Sequence, residues 1–298
     1  MTMFAIIRFI LDLTILHSGF KTELHKGLKK ISELNKEMIL EAPSICIGQV
    51  VRWDGMFRYL PNIVEWKCGY SGYHAYPLEN HDLLNLVVEE YVKGWSCEIQ
   101  EVTGLSASKS KLHAFESLDA MIKQNSQELI DPVTNEKLQE NLAWEKIPRL
   151  LQPNNEFDDI DFIKFDWSNR LYLSNSGGSH HFAAARYLAR KLGVKIKLYG
   201  ILKKYKFNKE IIIRLDREYD IFIIPDIPAS IFISEKLRDW QAEFIEGSIE
   251  IPCEINHISG RIILLKTNSY INSIISKTLE NYNVLKLNQY LQKHCTDC

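Results

Sequence analysis

Leu171-Tyr172-Leu173, then Ser174-Asn175-Ser176-Gly177-Gly178, then Ser179-His180-His181-Phe182-Ala183-Ala184-Ala185-Arg186 reads as a strand, a small polar loop and an alanine-rich helix. Ser179 is the predicted N-cap, and Ala183–Ala185 has the highest helix propensity available. Adjacent glycines let backbone N–H groups approach an anion with no side chain in the way. A helix N-terminus adds unpaired donors and a partial positive charge. The segment therefore predicts a phosphate pocket. Asn175, Gly177, Gly178 and Ser179 would position the phosphate, Arg186 and Arg170 would meet its charge, and His180 and His181 would supply charge or proton transfer. The plainer reading is a tight strand-to-helix connection that uses Gly-Gly for geometry and alanine for close packing. Two adjacent histidines argue against it, because neighbours on a helix point about 100° apart and both cannot enter one core. The segment is neither a Walker loop nor a dinucleotide fingerprint, since Lys-Ser/Thr and G-x-G-x-x-G are both missing.

Working outward, the helix runs over Ser179–Leu192 and stops at Gly193. Lys195–Leu202 alternates as a strand with one wet face, and Tyr219–Ile224 is a strand closed by Pro225. Upstream, Phe162–Phe165 and Arg170–Leu173 are short strands joined by a turn at Asp166-Trp167-Ser168-Asn169. Ser117 starts a short helix. Asn125–Phe157 is mostly loop, with one short helix at Leu138–Trp144. Lys21–Leu40 shows helical spacing, and Val50–Tyr76 reads as strands and turns with a turn signal at Asp54-Gly55. His81–Gly94 reads as a helix with Leu83, Leu84, Val87, Val88 and Tyr91 inward. Downstream, Ser230–Phe244 reads as a helix, Ile249–Ile251 and Arg261–Lys266 as strands, and Ser269–Leu291 as a terminal helix. The fold class is α/β (mixed α+β), in three zones: an N-terminal α/β extension over 1–112, a central domain over 113–225 and a C-terminal α/β extension over 226–298.

Gly177-Gly178-Ser179-His180-His181-Phe182-Ala183-Ala184 resembles the signature turn of the ParB/sulfiredoxin superfamily. In that superfamily a Gly-x-His-Arg or Gly-Gly-Cys-His-Arg turn is followed by an aromatic or aliphatic residue and an alanine pair. The Ser117–Asn125 helix is similar to the helix that precedes the strand in that fold, and the resemblance extends over about residues 113–202. It implies a ParB/sulfiredoxin-like central domain that binds nucleotide phosphates on the turn. Ser179 stands at the position of the reductase cysteine, so the resemblance does not extend to thiolate chemistry. His181 stands where an arginine usually follows the histidine, so phosphate charge falls to His180 and His181, ionised only in part at neutral pH, together with Arg186 or Arg170.

The 298 residues carry a formal net charge of −2 and 46% hydrophobic content, which excludes a whole-chain electrostatic footprint for nucleic acid. Met1–Leu16 is apolar but broken by Arg8 and Asp12, so it predicts a buried or amphipathic helix rather than a membrane span or secretory signal. The expected location is cytoplasmic, with no membrane partner. Six cysteines are too scattered for a disulfide scaffold. Cys46, Cys68, Cys97 and Cys253 read as small core side chains, and the terminal Cys295/Cys298 pair lacks a second ligand pair for zinc.

Weaker candidates are the acidic run Glu156, Asp158, Asp159 and Asp161, and the aromatic-basic stretch Arg52-Trp53-Asp54 with Arg58-Tyr59. The patch Lys203-Lys204-Tyr205-Lys206 is another. Tyr73-His74-Ala75-Tyr76 hints at an ADP-ribosyltransferase pocket that nothing else supports. Asp166, at the end of a strand, is the first choice of base or metal ligand.

The expected function is an enzyme acting on a nucleotide or nucleic-acid phosphate: a nucleotide hydrolase, phosphotransferase or nuclease. ATP or CTP and Mg²⁺ are its expected cofactors, with no protein metal site assigned. The alternative is a non-catalytic nucleic-acid-binding or nucleotide-sensing module. A third reading, an interaction protein of a phage or other mobile element, rests on how little of the chain looks like housekeeping metabolism.

Overall fold

Residues 221–224 (IFII) and 262–265 (IILL) are unbroken apolar runs, and strands of that kind need cover on both faces. The computed structural model describes residues 44–54, 63–78, 85–153, 159–168, 170–225, 227–252 and 257–295, and it supplies that cover. These two runs lie in β8 (Tyr219–Ile224) and β10 (His257–Lys266). The other strands of their sheet are β1 (Val64–Gly69), β2 (Gly72–Pro77), β9 (Phe244–Pro252) and β11 (Leu285–Lys286). The spatial order is β11-β8-β10-β9-β1-β2, antiparallel throughout. Phe222, Ile224, Ile263 and Leu265 pack with Ile233 and Leu237 of α5 (Ile227–Asp239) and Ile275 and Leu279 of α6 (Tyr270–Asn281). Ile221, Ile223, Ile262 and Leu264 share a core with Trp53, Phe165, Trp167 and Phe207 from the other sheet's side. The alternation of a strand thus feeds two separate cores.

The second sheet holds β3 (Val87–Glu98), β4 (Val102–Leu105), β5 (Ile160–Phe165), β6 (Leu171–Leu173) and β7 (Lys197–Phe207), in the order β3-β7-β5-β6-β4. β4 runs parallel to β6 and β5 parallel to β7, while the β3–β7 and β5–β6 pairs are antiparallel. Three helices pack with this sheet: α1 (Leu118–Asn125), α2 (Asn135–Leu142) and α3 (Ser179–Leu192). Ser117 and Thr134 cap the first two, accepting from the Ala120 and Lys137 amides at 3.1 and 3.2 Å. Phe182, Ala183, Ala184 and Ala185 of α3 are fully buried against Met121, Ile122 and Leu138. α4 (Lys209–Glu218) and α7 (Leu287–His294) complete the described helices. No helix among the described residues is long and apolar enough to cross a membrane.

The molecule is mixed α+β, as its sequence predicts, with one element reversed in type. The described part of His81–Gly94 is strand, not helix. Val87-Val88-Glu89-Glu90-Tyr91-Val92 pairs with β7 from Val87↔Phe207 to Val92↔Leu202, and pairing resumes at Trp95↔Gly200. Gly94, at φ 65°, sits in the bulge between the two registers rather than stopping a helix. Both periodicities fit so short an apolar run, and long-range pairing of β-branched and aromatic residues decides between them. The terminal helix is likewise divided. α6 ends before Asn283, which takes φ 55°, and α7 follows β11. Strand membership also crosses the boundaries drawn at 112 and 225: β3 and β4 pair with the central strands, and the β1–β2 hairpin joins the C-terminal sheet. Cys97 is buried, as expected of a core cysteine, whereas Cys46 is half-buried and Cys68 is exposed; Cys295, which no core reading included, is buried as well. The readings at Met1–Leu16, Lys21–Leu40, Gly55, Arg58-Tyr59, Glu156, Asp158, Cys253 and Cys298 lie outside the described residues.

β5 and β7 meet at a close approach that fixes one glycine. Asp161 is fully buried, its Oδ2 accepts from the Ile201 amide at 3.0 Å, and its Oδ1 lies 2.9 Å from the Arg149 guanidinium. Burial pushes the Asp161 carboxyl up from its ordinary range, against the pull of that amide and of Arg149. A β-carbon on Gly200 would stand 2.7 Å from both Cβ and Cγ of Asp161. Gly200→Ala should lower the unfolding free energy by about 2 kcal/mol through overpacking, read as a lower urea midpoint at unchanged slope. An unchanged midpoint would show that this contact gives way freely.

Candidate functional site

β4 and β6 lie side by side and parallel, with Leu105 opposite Leu173, so their exit loops leave the sheet together. Ligand crevices in open α/β sheets form outside the carboxyl ends of such strands. The two loops are stapled to each other. Ser106 Oγ donates to the Asn175 carbonyl at 2.9 Å and accepts from the Asn175 amide at 2.8 Å. Asn175 Oδ1 accepts from the Ser106 and Ala107 amides, both at 3.2 Å, and its Nδ2 donates to the carbonyls of Ala107 (2.8 Å) and Gly177 (3.1 Å). Asn175 therefore spends its amide on loop geometry rather than on a phosphate.

Gly178, not Ser179, occupies the N-cap of α3. It takes φ 67°, ψ 13°, a left-handed conformation that a β-carbon disfavours, and its carbonyl accepts the first helical bond, from Phe182 N at 2.8 Å. Ser179 becomes the first helical residue, and its hydroxyl donates to Ser108 Oγ at 3.0 Å. The amides of Ser179, His180 and His181 precede the first helical bond, and no described residue accepts from them. They open on a cavity of about 540 Å³. Its walls come from the loop after β4 (Ala107–Lys109), the turn after α1 (Ser126, Glu128, Leu129), Trp144 and Glu145 after α2, and the turn Ser176–His181 itself.

The two histidines diverge in role. His180 is locked. Ser126 Oγ donates to the Asn125 carbonyl at 2.7 Å, so it accepts from His180 Nδ1 at 3.0 Å. Asn125 Nδ2 donates to Ser110 Oγ at 2.7 Å, which leaves the Ser110 proton for His180 Nε2 at 2.8 Å. The ring of bonds closes on a neutral imidazole. Burial lowers the His180 pKa, with Lys109 acting in the same sense and Glu128 opposing.

His181 is oriented but open. Asn141 Nδ2 donates to the carbonyls of Leu129 (2.9 Å) and Lys137 (2.8 Å), so its Oδ1 must accept, and it takes His181 Nδ1–H at 2.9 Å. That fixes the tautomer with a lone pair on Nε2, for which no described residue supplies a hydrogen bond. Trp144 stacks on the ring, with centroids 3.9 Å apart and planes 13° apart. Burial lowers the His181 pKa, against the opposing pull of Glu145. Glu145 takes φ 42° and lays its carboxylate over Gly177, where a β-carbon would meet Oε2 at 2.6 Å.

The other predicted residues lie elsewhere. Arg186 pairs with Asp119 at 2.8 Å and donates to the Gln100 carbonyl at 3.1 Å, and Asp119 also pairs with Arg190. Arg170, at the opposite end of β6 from the turn, donates to the Thr103 carbonyl at 3.1 Å. Asp166 follows β5, whose antiparallel pairing with β6 carries it to that same far end, where it pairs with Lys204 at 3.4 Å. None of the three lines the cavity. The basic patch is also met across the β3–β7 pair, Lys203 by Glu89 at 2.9 Å and Lys206 by Glu90. Asp159 and Asp161 both pair with Arg149. Among the described residues, no group of three or more His, Cys, Asp or Glu is placed to hold a metal ion. Sequence reading missed Ser110, Ser126, Asn141, Trp144 and Glu145, which reach the site from separate loops and helix ends without any spacing in common.

The His181 environment is open to titration. Asn141→Asp places a carboxylate on Nδ1 and should raise the His181 pKa by about one unit or more, followed by NMR of the imidazole. A pKa unmoved by this substitution would mean that the Asn141 contact is absent in solution.

No curated protein and no solved structure matches the chain. One family model does match, over residues 92–297, from within β3 through α7, and so includes every wall of the cavity. The chain therefore belongs to the family of unknown function DUF6685.

Proposed function

We propose that the cavity at the α3 N-terminus binds the phosphate of a nucleotide or nucleic-acid end and that His181 is the general base for its hydrolysis or transfer. The observation that carries this reading is that Ser179, His180 and His181, whose amides no described residue accepts from, line one cavity, and that the Asn141 contact leaves the lone pair of His181 on Nε2. The amides and the helix dipole hold anionic oxygens. Lys109 lies at the cavity wall, and Lys146 donates to Ser176 Oγ at 2.7 Å on the turn. His181 Nε2 takes the proton of a water or acceptor hydroxyl as that oxygen bonds to phosphorus. The bond from phosphorus to the leaving oxygen then breaks, and its electron pair leaves with that oxygen. The likeness of the turn to the ParB/sulfiredoxin superfamily supports the phosphate half of this reading. It says nothing of the base, because His181 replaces an arginine there.

His180 has a different part in this scheme. Both its nitrogens are committed, so it ties the loops after β4 and α1 to the helix and leaves its amide to the ligand. That commitment also favours the second reading, a nucleotide-sensing module without turnover, since it removes one of two expected proton-transfer groups. Glu145 lies where a phosphate on Gly177 would be repelled, so the ligand displaces that carboxylate or seats beyond it, on the Ser179–His181 amides.

Titration with ATP and with CTP, with and without Mg²⁺, should raise the melting temperature, and phosphate release should accompany it. His181→Ala should keep the thermal shift and lose about 10²-fold or more in rate. A thermal shift without phosphate release leaves the sensing module, and no shift with either nucleotide removes the phosphate reading.

The pH profile follows from the direction of the His181 shift. Burial and the facing His180 and Lys137 hold its pKa below the ordinary imidazole value of about 6.5, against Glu145. The rate should therefore be level at neutral pH and fall as the pH drops through the lowered His181 pKa. A rate that rises on acidification would assign His181 as an acid instead.

A further inference from the structure

Trp144 is an anomaly for a side chain at the wall of a cavity. It keeps 44% of its surface exposed, yet one ring face is closed by His181 at 3.9 Å. The open surface therefore belongs to the remainder of the indole, which lines the same cavity as the α3 amides. Its Cδ1 lies 3.6 Å from where a Gly178 β-carbon would be, so the ring abuts the phosphate turn itself. The next residue, Glu145, holds φ 42°, a conformation rare outside glycine and asparagine, at the sharp turn after α2 that carries both side chains to the cavity.

We infer that Trp144 is the stacking platform for a nucleobase and that the ligand is a free nucleoside phosphate rather than a simple phosphate ester. The inference rests on the phosphate reading above and adds the part of the ligand that reading leaves open. An aromatic with one face held rigidly by another ring and one face open offers stacking area at little cost in side-chain entropy. Every nucleobase has a π face to place on it. The charges near the site favour a free nucleotide over a strand. A polynucleotide needs a run of cations along its backbone. Here the conspicuous basic run, Lys203–Lys206, lies away from the cavity and is met by Glu89, Glu90 and Asp166, and the cavity wall itself carries Glu128 and Glu145 beside Lys109. A volume of about 540 Å³ lies within the range of small-molecule sites.

The test is calorimetric titration of the full chain and of Trp144→Ala and Trp144→Phe with ATP, CTP and inorganic tripolyphosphate. Trp144→Ala should weaken ATP about tenfold, leave tripolyphosphate unchanged, and be largely rescued by Trp144→Phe, which keeps an aromatic face. Indole fluorescence should be quenched by ATP in the native chain and much less in Trp144→Phe. Equal weakening of ATP and tripolyphosphate in Trp144→Ala would show that Trp144 only braces His181 and would overturn the inference while sparing the phosphate site. Unchanged ATP binding in Trp144→Ala would also overturn it. Failure of both ATP and tripolyphosphate to bind the native chain removes the phosphate reading and this inference with it. A 5′-phosphorylated single strand that binds more tightly than ATP overturns the assignment to a free nucleotide.

Discussion

Where two parallel strands stop side by side, their last carbonyls and the amides that follow have no next residue pair to bond with, and buried backbone groups cannot go unpaired. β4 and β6 meet that constraint by exchange. Ser106 and Asn175 take up each other's backbone and side-chain groups, and Asn175 also closes its own turn on Gly177. Once the loops are joined, Gly178 takes a left-handed conformation at the N-cap and α3 starts with no side chain capping its first amides. The candidate site is the remainder of this arrangement: the amides of Ser179, His180 and His181 are donors that the exchange leaves over at this end of the sheet.

The same economy separates the histidines. Both are part-buried, both are favoured as neutral rings, and each has its tautomer set by an oxygen whose own bonding leaves no choice. They differ in how many nitrogens the protein uses. His180 gives both to serines, whereas His181 gives one to Asn141 and keeps the other for the cavity. Adjacent and identical in type, they become a brace and a ring with one nitrogen that no described residue bonds, because the helix turns them toward different neighbours.

The readings that follow local rules agree with the structure. Ser179–Leu192 with Gly193, Tyr219–Ile224 and the Ser117 cap were all legible from propensity, capping and turn chemistry. Reading failed where distant pairing decides. Val87–Val92 fits a helical face until β7 is present to pair with it. α4 is the exception among local signals: Asn208 caps it and Ile211, Ile212 and Leu215 form its buried face, a pattern present in the sequence and not assigned from it. At the site, the turn itself was legible but its partners were not. Arg186, Arg170 and Asp166 are near the turn in sequence and were favoured for that, yet Asp119, the Thr103 carbonyl and Lys204 hold them elsewhere. Asn141, Trp144 and Glu145 arrive from a helix end that sequence alone gave no reason to bring close.

The β1–β2 hairpin has a consequence for how the chain is made. Trp66 of β1 donates to Glu246 of β9 across 180 residues of sequence, and the whole five-stranded sheet is synthesised in between. The hairpin emerges early from the ribosome with an edge that only late residues can cover, and its pairing with β9 must wait until they are exposed. The five-stranded sheet and its cavity have every strand they need by Phe207, so the part of the molecule that holds the candidate site can assemble while the six-stranded sheet is still incomplete. Closing that second sheet is then a late, long-range step of the kind that slows folding, and it joins the first and last parts of the described chain around a centre already formed.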